Sequence, residues 1–135
     1  MSARSKARKR ALDILFESDI RKNSAIELLA LRPPEDLSQG EYSAKIVSGV
    51  VANQEKIDEL IVTYAQGWDM DRMPAIDRNI LRIAIFEILW ESDVDDSVAA
   101  SQAVELATDL STMDSAAYIN GVLGRIIILK PSFGI

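Results

Sequence analysis

Apolar residues recur every three to four positions along most of the chain, which is the spacing of one face of an α-helix. Alternation with a period of two, as in a half-buried strand, is not sustained anywhere. The pattern predicts about seven helices, over residues 5–21, 24–31, 38–52, 56–64, 74–90, 97–110 and 115–128. The predicted fold is therefore an all-α, compact bundle without strands.

Prolines, glycines and capping residues set the predicted helix ends. Pro33-Pro34 ends the second helix, because proline cannot donate a backbone hydrogen bond, and a loop follows to about Leu37. Ser24 and Ser97 are predicted N-caps, and Pro131 and Gly134 are predicted to end the ordered chain.

The predicted helix over 74–90 is apolar almost all round, which marks it as the central element of the bundle. Within it, Glu87 is a carboxylate in an apolar segment, and burying such a group is costly unless it is paired or lies at an interface. An ion pair with a nearby arginine is the preferred interpretation. Gly49 and Gly121 lie inside predicted helices, where glycine costs about 1 kcal/mol relative to alanine, and close helix packing is the expected reason.

The composition excludes several classes of function. With 135 residues, 48% apolar and 27% charged, the chain fits a single globular domain. It has neither cysteine nor histidine, so thiol nucleophiles, zinc sites and histidine-dependent triads are excluded. The acid-rich loops lack the spacing of a calcium site, and no phosphate-binding glycine loop or dinucleotide fingerprint occurs. We expect no enzyme, metal or cofactor, and a cytoplasmic protein without membrane association, because no apolar run reaches about eighteen residues.

Charge is distributed unevenly along the chain. The net charge is −6, yet the first ten residues hold five of the 15 basic residues and no acid. The rest of the chain therefore contains ten basic and all 21 acidic residues. Cations in the first turns of a helix oppose its dipole, and like charges four residues apart repel, so a compensating partner is expected. A phosphate backbone would serve. The alternative from charge alone is a solvated N-terminal arm.

Aromatic residues could add base stacking to such a basic surface. Phe16 lies about two turns beyond Arg8 on a flank of the same predicted helix. Taken alone, Phe16, Tyr118, Trp68 and Trp90 fit core positions better than stacking positions.

Four stretches together resemble one family, the bacterial antitermination factors of the NusB type. They are "ARSKARKRALDILFESD", "YSAKIVSGVVANQEKIDELI", "DRNILRIAIFEIL" and "AVELATDLSTMDSAAYINGVL", which lie in the family's order and span nearly the whole chain. The resemblance implies an all-helical fold of two small perpendicular subdomains, here 1–53 with about three helices and 54–135 with about four.

The same resemblance implies a function in transcription antitermination and ribosomal RNA processing. Members are expected to bind a boxA-type single-stranded RNA element together with the ribosomal protein NusE, and to act with other Nus factors and RNA polymerase indirectly. Glu87 matches a glutamate expected at the RNA and partner surface. The residues that match RNA-binding positions are Arg4, Lys6, Arg8, Arg10, Phe16, Asp114, Tyr118 and Asn120.

Several positions depart from the family pattern near Tyr118. Thr108 and Ala117 stand where members carry basic residues, and Gly124 replaces a common aspartate. Two alternatives stay open: a helical protein-interaction module, or a dimeric adaptor in which a homodimer covers the basic helix, neither of which binds RNA.

Overall fold

The computed structural model describes residues 2–32 and 37–135, with side chains from residue 40 onward in the second range. This part of the chain forms six α-helices and one short 3-10 helix. The helices are α1 (Ala3–Arg21), α2 (Ala25–Leu31), α3 (Leu37–Tyr64), α4 (Ala75–Trp90), α5 (Asp96–Leu110) and α6 (Met113–Leu129), followed by the 3-10 helix Lys130–Phe133. The predicted all-α class is confirmed.

Short polar side chains start three of the helices. The hydroxyls of Ser2, Ser24 and Thr112 accept the backbone N–H groups of the residues three positions later, at 3.0 to 3.2 Å. Each of these bonds satisfies one of the N–H groups that a helix start leaves without an intrahelical partner. The predicted cap at Ser24 is confirmed. Ser97 is not a cap, because α5 begins at Asp96 and its N-cap residue is Asp95.

The predicted third and fourth helices are one helix, α3, of 28 residues. The segment between them contains no proline or glycine, and the Asn53 side-chain amide donates to the Gly49 carbonyl at 2.8 Å within the same helix. Nothing in that segment stops propagation, so the prediction of a break was wrong. The predicted break at Pro33-Pro34 lies outside the described residues.

Helix α4 occupies the centre of the bundle, as predicted. It packs against α1, α3, α5 and α6, and every residue from Asp77 to Leu89 except Arg78 is buried. Gly49 of α3 faces this helix so closely that a Cβ there would lie 2.0 Å from the Phe86 ring, which confirms the expected close packing. Gly121 differs, because a Cβ at that position would meet no atom within 4 Å.

Helices α1 and α4 run antiparallel and are held together near both ends. Near one end, Arg8 of α1 pairs with Glu87 of α4. Near the other end, the Asp19 carboxylate accepts hydrogen bonds from Arg78, Asn79 and Arg82 at 2.8 to 3.2 Å. These contacts fix the orientation of the basic first helix relative to the core.

The predicted boundary between residues 53 and 54 falls inside α3, and the division into two subdomains remains a prediction. None of the helices in the described ranges is long and apolar enough to cross a membrane.

Candidate nucleic-acid interface

The N-terminal end of α1 presents cations to solvent. Arg4 and Lys6 are both exposed, and no ion pair joins either of them to another described residue. Lys9, one turn further, is half-buried and pairs with Asp13 at 2.7 Å. At this end of α1 the free positive charge therefore lies in the first turn.

Arg8 does not share this exposed surface. It is only 3% exposed, and its guanidinium forms a two-pronged contact with Glu87, with Nε and Nη2 both 2.9 Å from carboxylate oxygens. Burial alone would lower the pKa of Arg8, but the hydrogen bond and charge of Glu87 raise it above its ordinary value. The ion pair expected for Glu87 is confirmed, and its partner is Arg8.

Glu87 is likewise buried, at 1% exposure, so it does not lie on a surface that a partner could contact directly. The Tyr42 hydroxyl of α3 donates a further hydrogen bond to it. Burial and that bond raise the pKa of Tyr42 well above its ordinary value. Glu87 thus joins α1, α3 and α4 at one buried point.

Tyr42 also supports the exposed cation at the helix start. The guanidinium carbon of Arg4 lies 4.8 Å from the centroid of the Tyr42 ring, which is cation–π distance. Glu87 orients Tyr42 by the hydrogen bond described above. The buried residues at this end therefore position Arg4 rather than compete with it.

Arg10 and Phe16 continue the predicted site along α1. Arg10 is half-buried and donates to the backbone carbonyl of Arg32, which ties α1 to the end of α2. Phe16 is 37% exposed and is not part of the buried core, so the core interpretation of Phe16 was wrong. Its ring is open to a ligand.

The second group of predicted residues lies on α6. Asp114 and Asn120 are exposed, whereas Tyr118 is half-buried. The Tyr118 hydroxyl donates to the Gln66 carbonyl at 2.6 Å, and its ring meets Trp68 edge to face with centroids 4.7 Å apart. Burial raises the pKa of Tyr118, although the charge of Arg125 acts in the opposite direction. Tyr118 and Trp68 also pack against the core, as expected of rings at these positions.

The two groups lie toward opposite ends of α4. Arg8 marks one end through Glu87, and the start of α6 marks the other, where the Ser115 hydroxyl donates to Asp77 at 2.8 Å. Asp77 and Glu87 are ten residues apart, or about 15 Å along the helix axis. In the described part of the chain, no hydrogen bond or ion pair joins α1 to α6. The predicted residues therefore form two separate groups and not a single pocket.

Sequence reasoning missed Gln66 and Arg125 at the α6 end, and it assigned Trp68, which also lies there, to the core. Trp68 and Gln66 come from the segment that follows α3, and Arg125 lies two turns beyond Tyr118 on α6. Arg125 donates to the Tyr64 carbonyl at 3.1 Å and restores a cation close to Tyr118. The spacing of Tyr118 and Arg125, seven residues on one helix, is the sequence signal that could have found it.

Comparison with known proteins agrees with the fold and the extent of the resemblance. The family model described as "NusB family" matches residues 5–127. Among curated relatives, a transcription antitermination protein NusB from Nocardioides sp. (strain JS614) is 51% identical, and one from Pseudarthrobacter chlorophenolicus is 53% identical. Each alignment covers 98% of both chains.

Solved structures also match over nearly the whole chain. NusB of T. maritima superimposes with a TM-score of 0.88 at 30% identity, covering 98% of this chain and 97% of the other. A chain from the crystal structure of antitermination factors NusB and NusE in complex with dsRNA gives a TM-score of 0.84 at 25% identity, covering 95% and 98%.

Proposed function

The chain belongs to the NusB family, and we propose that it is a transcription antitermination factor that binds a boxA-type single-stranded RNA element together with a NusE-type ribosomal protein. The observation that carries the RNA-binding part is the exposed pair Arg4 and Lys6 on a molecule whose net charge is −6. The proposed protein acts by binding and not by a chemical step, and it works in the cytoplasm. It contacts RNA polymerase and other Nus factors indirectly, through the complex with RNA and the NusE-type protein.

Phosphate contacts from α1 would supply affinity and its salt dependence. Each cation that neutralises a phosphate releases counterions, so binding weakens as salt rises. Arg4 and Lys6 are free to make such contacts, and Arg10 lies behind them on the same helix. Arg8 contributes indirectly, because its pairing with Glu87 holds the helix in place.

Base contacts would come from the remaining predicted residues. Phe16 and Tyr118 offer ring surfaces for stacking, while Asp114 and Asn120 are exposed polar groups that can bond to base edges. These residues lie on α1 and α6, and we expect an extended strand to contact both groups in turn.

Glu87 has a changed role in this proposal. Because it is buried, it serves the RNA and partner surface by positioning Tyr42, which lies under Arg4. A composite surface of two proteins and RNA is supported by the similar crystal structure of antitermination factors NusB and NusE in complex with dsRNA.

The experiment is a titration of labelled boxA-type RNA at several salt concentrations, with and without a NusE-type protein. The variant Arg4→Gln/Lys6→Gln should reduce the slope of log affinity against log salt by about 1.4, since each single-strand phosphate contact contributes about 0.7. The matched control is Arg21→Gln/Lys56→Gln, which removes the same charge elsewhere on the surface and should leave the slope unchanged.

Equal slopes for the variant and its control would refute the assignment of phosphate contacts to the first turn of α1. If the wild-type chain binds no RNA in either condition, RNA binding itself is wrong and the protein is an interaction module. A solution mass of two chains that persists when RNA is added would favour the dimeric adaptor.

A further inference from the structure

A groove borders Tyr118 on the side away from Asp114. It lies between the C-terminal end of α3 and the outer face of α6 and has a volume of about 360 Å³. None of the side chains that line it is acidic, although the protein as a whole is. The residues that form it include Tyr64, Gln66, Ala117, Tyr118, Gly121 and Arg125.

Arg125 is an exposed cation without a carboxylate partner in the described ranges. In this it differs from Lys45, which pairs with Glu91, and from Lys130, which pairs with Asp96. One guanidinium nitrogen of Arg125 donates to the Tyr64 carbonyl, which fixes the side chain beside the groove. The other N–H groups of this guanidinium make no hydrogen bond to any described residue and can meet an anion.

Gly121 lies in the groove without an intramolecular reason to be glycine. It is an exposed residue inside α6, and a Cβ there would meet nothing within 4 Å. Glycine in a helix interior costs about 0.5 to 1 kcal/mol relative to alanine. Close packing, expected from the sequence, is therefore wrong for this position. Because Gly121 has no side chain and Ala117 has a small one, the helix surface between Tyr118 and Arg125 is open.

Tyr118 separates this groove from a smaller cleft that Gly67, Trp68 and Asp114 line on its other side. Its ring is held at the hydroxyl by Gln66 and at the edge by Trp68. A ring fixed in this way loses little freedom on stacking with a base.

We propose that the groove holds the nucleotide next to the base that contacts Tyr118, with its phosphate on Arg125 and its sugar over Gly121. This inference rests on the proposed RNA-binding function and extends the site by a residue that the family resemblance did not indicate. It places a cation beside Ala117, which stands where members of the family carry a basic residue.

Two pairs of variants test the proposal by RNA titration at several salt concentrations, with thermal unfolding as a check on folding. Gly121→Gln fills the groove, and its control Gly124→Gln adds the same side chain on the same helix, also with no atom within 4 Å of its Cβ. Arg125→Gln removes the cation, and its control is Arg21→Gln.

We expect Gly121→Gln to lower affinity by about tenfold, the order of one lost base contact, and Gly124→Gln to change it less than about twofold. Arg125→Gln should reduce the salt slope by about 0.7, whereas Arg21→Gln should not. Both glycine variants should melt at or above the wild-type temperature, since each removes a helical glycine.

If the wild-type chain binds RNA and each variant binds it as its own control does, the groove assignment is overturned and the proposed function still stands. Loss of NusE-type protein binding at unchanged RNA affinity would overturn it as well, because the groove would then belong to the protein partner. A wild-type chain that binds no RNA would overturn both proposals.

Discussion

The Arg8 guanidinium and the Glu87 carboxylate form a buried pair in which each group satisfies the other. The cost of burying such a pair is large, and its net contribution to stability is small or even unfavourable. What the pair supplies is position, since Tyr42 and through it Arg4 are arranged around Glu87.

Removing one partner of this pair leaves the other as an uncompensated buried charge. We expect Glu87→Ala to lower the free energy of unfolding by about 3–5 kcal/mol, measured by urea denaturation. The control Glu41→Gln, on the exposed face of α3, should change it by less than about 0.5 kcal/mol. Arg8→Met with Glu87→Leu should recover most of the loss, because no charge is then left buried. A Glu87→Ala variant as stable as wild type would show that the pair is solvated in solution.

At the scale of elements, the helices were predictable because burial imposes a period on the sequence. The stripe at Ala7, Ala11, Ile14 and Leu15 predicted α1, and those residues are buried. Arg8 was misplaced because charge suggested solvent, although it shares a helix face with Leu12 and Leu15. The sequence predicted an arginine partner for Glu87 but did not identify that partner as Arg8.

Other features depended on contacts that a single sequence does not display. The residues between Ala52 and Lys56 are all compatible with a helix. The sequence therefore indicates one helix in place of two only by containing no proline or glycine there. Gln66 and Trp68, which contact Tyr118, come from the segment that follows α3, about fifty residues away along the chain. Periodicity predicts which face of a helix is buried, and it does not predict which distant element lies beside it.

Asp19 holds α1 to the start of α4, and this contact should respond to acid. Burial alone would raise the pKa of Asp19, but hydrogen bonds from Arg78 and Asn79 and the charges of the arginines lower it below the ordinary value of 3.8. Its stabilising effect is therefore complete above about pH 4 and is lost as pH falls through the lower folded pKa.

We expect the unfolding free energy of the wild-type chain to fall more steeply below about pH 4 than that of Asp19→Asn. The asparagine variant should be less stable near neutral pH by about 1–3 kcal/mol, because two arginines lose their charged acceptor. Urea denaturation from pH 3 to 7 measures both effects. The exposed residue Asp109 provides the control Asp109→Asn, which should keep the wild-type pH profile; parallel profiles for all three chains would contradict the assignment.

At the scale of the whole molecule, α3 and α4 connect the two predicted subdomains. Helix α3 crosses the predicted boundary, and α1 contacts α4 near both of its ends. One region can therefore hardly unfold while the other keeps its packing.

We expect one cooperative unfolding transition. Trp68 and Trp90 lie in the second predicted subdomain and report by fluorescence, whereas far-ultraviolet circular dichroism reports all helices. Urea transitions followed by the two signals should coincide, as two-state unfolding requires. A circular dichroism transition that begins at clearly lower urea would show that the first subdomain unfolds independently.

Helix α3 also has a consequence for how this surface can change over evolutionary time. Tyr42 near its start supports Arg4, and Tyr64 at its end receives Arg125, with about 33 Å of unbroken helix between them. Substitutions along that span can be absorbed one at a time. Inserting or deleting a single residue would instead shift one end by about 1.5 Å and turn it by about 100° relative to the other. The spacing of the two contact regions is therefore encoded in a number of residues, and we expect the length of this helix to tolerate less variation than its sequence.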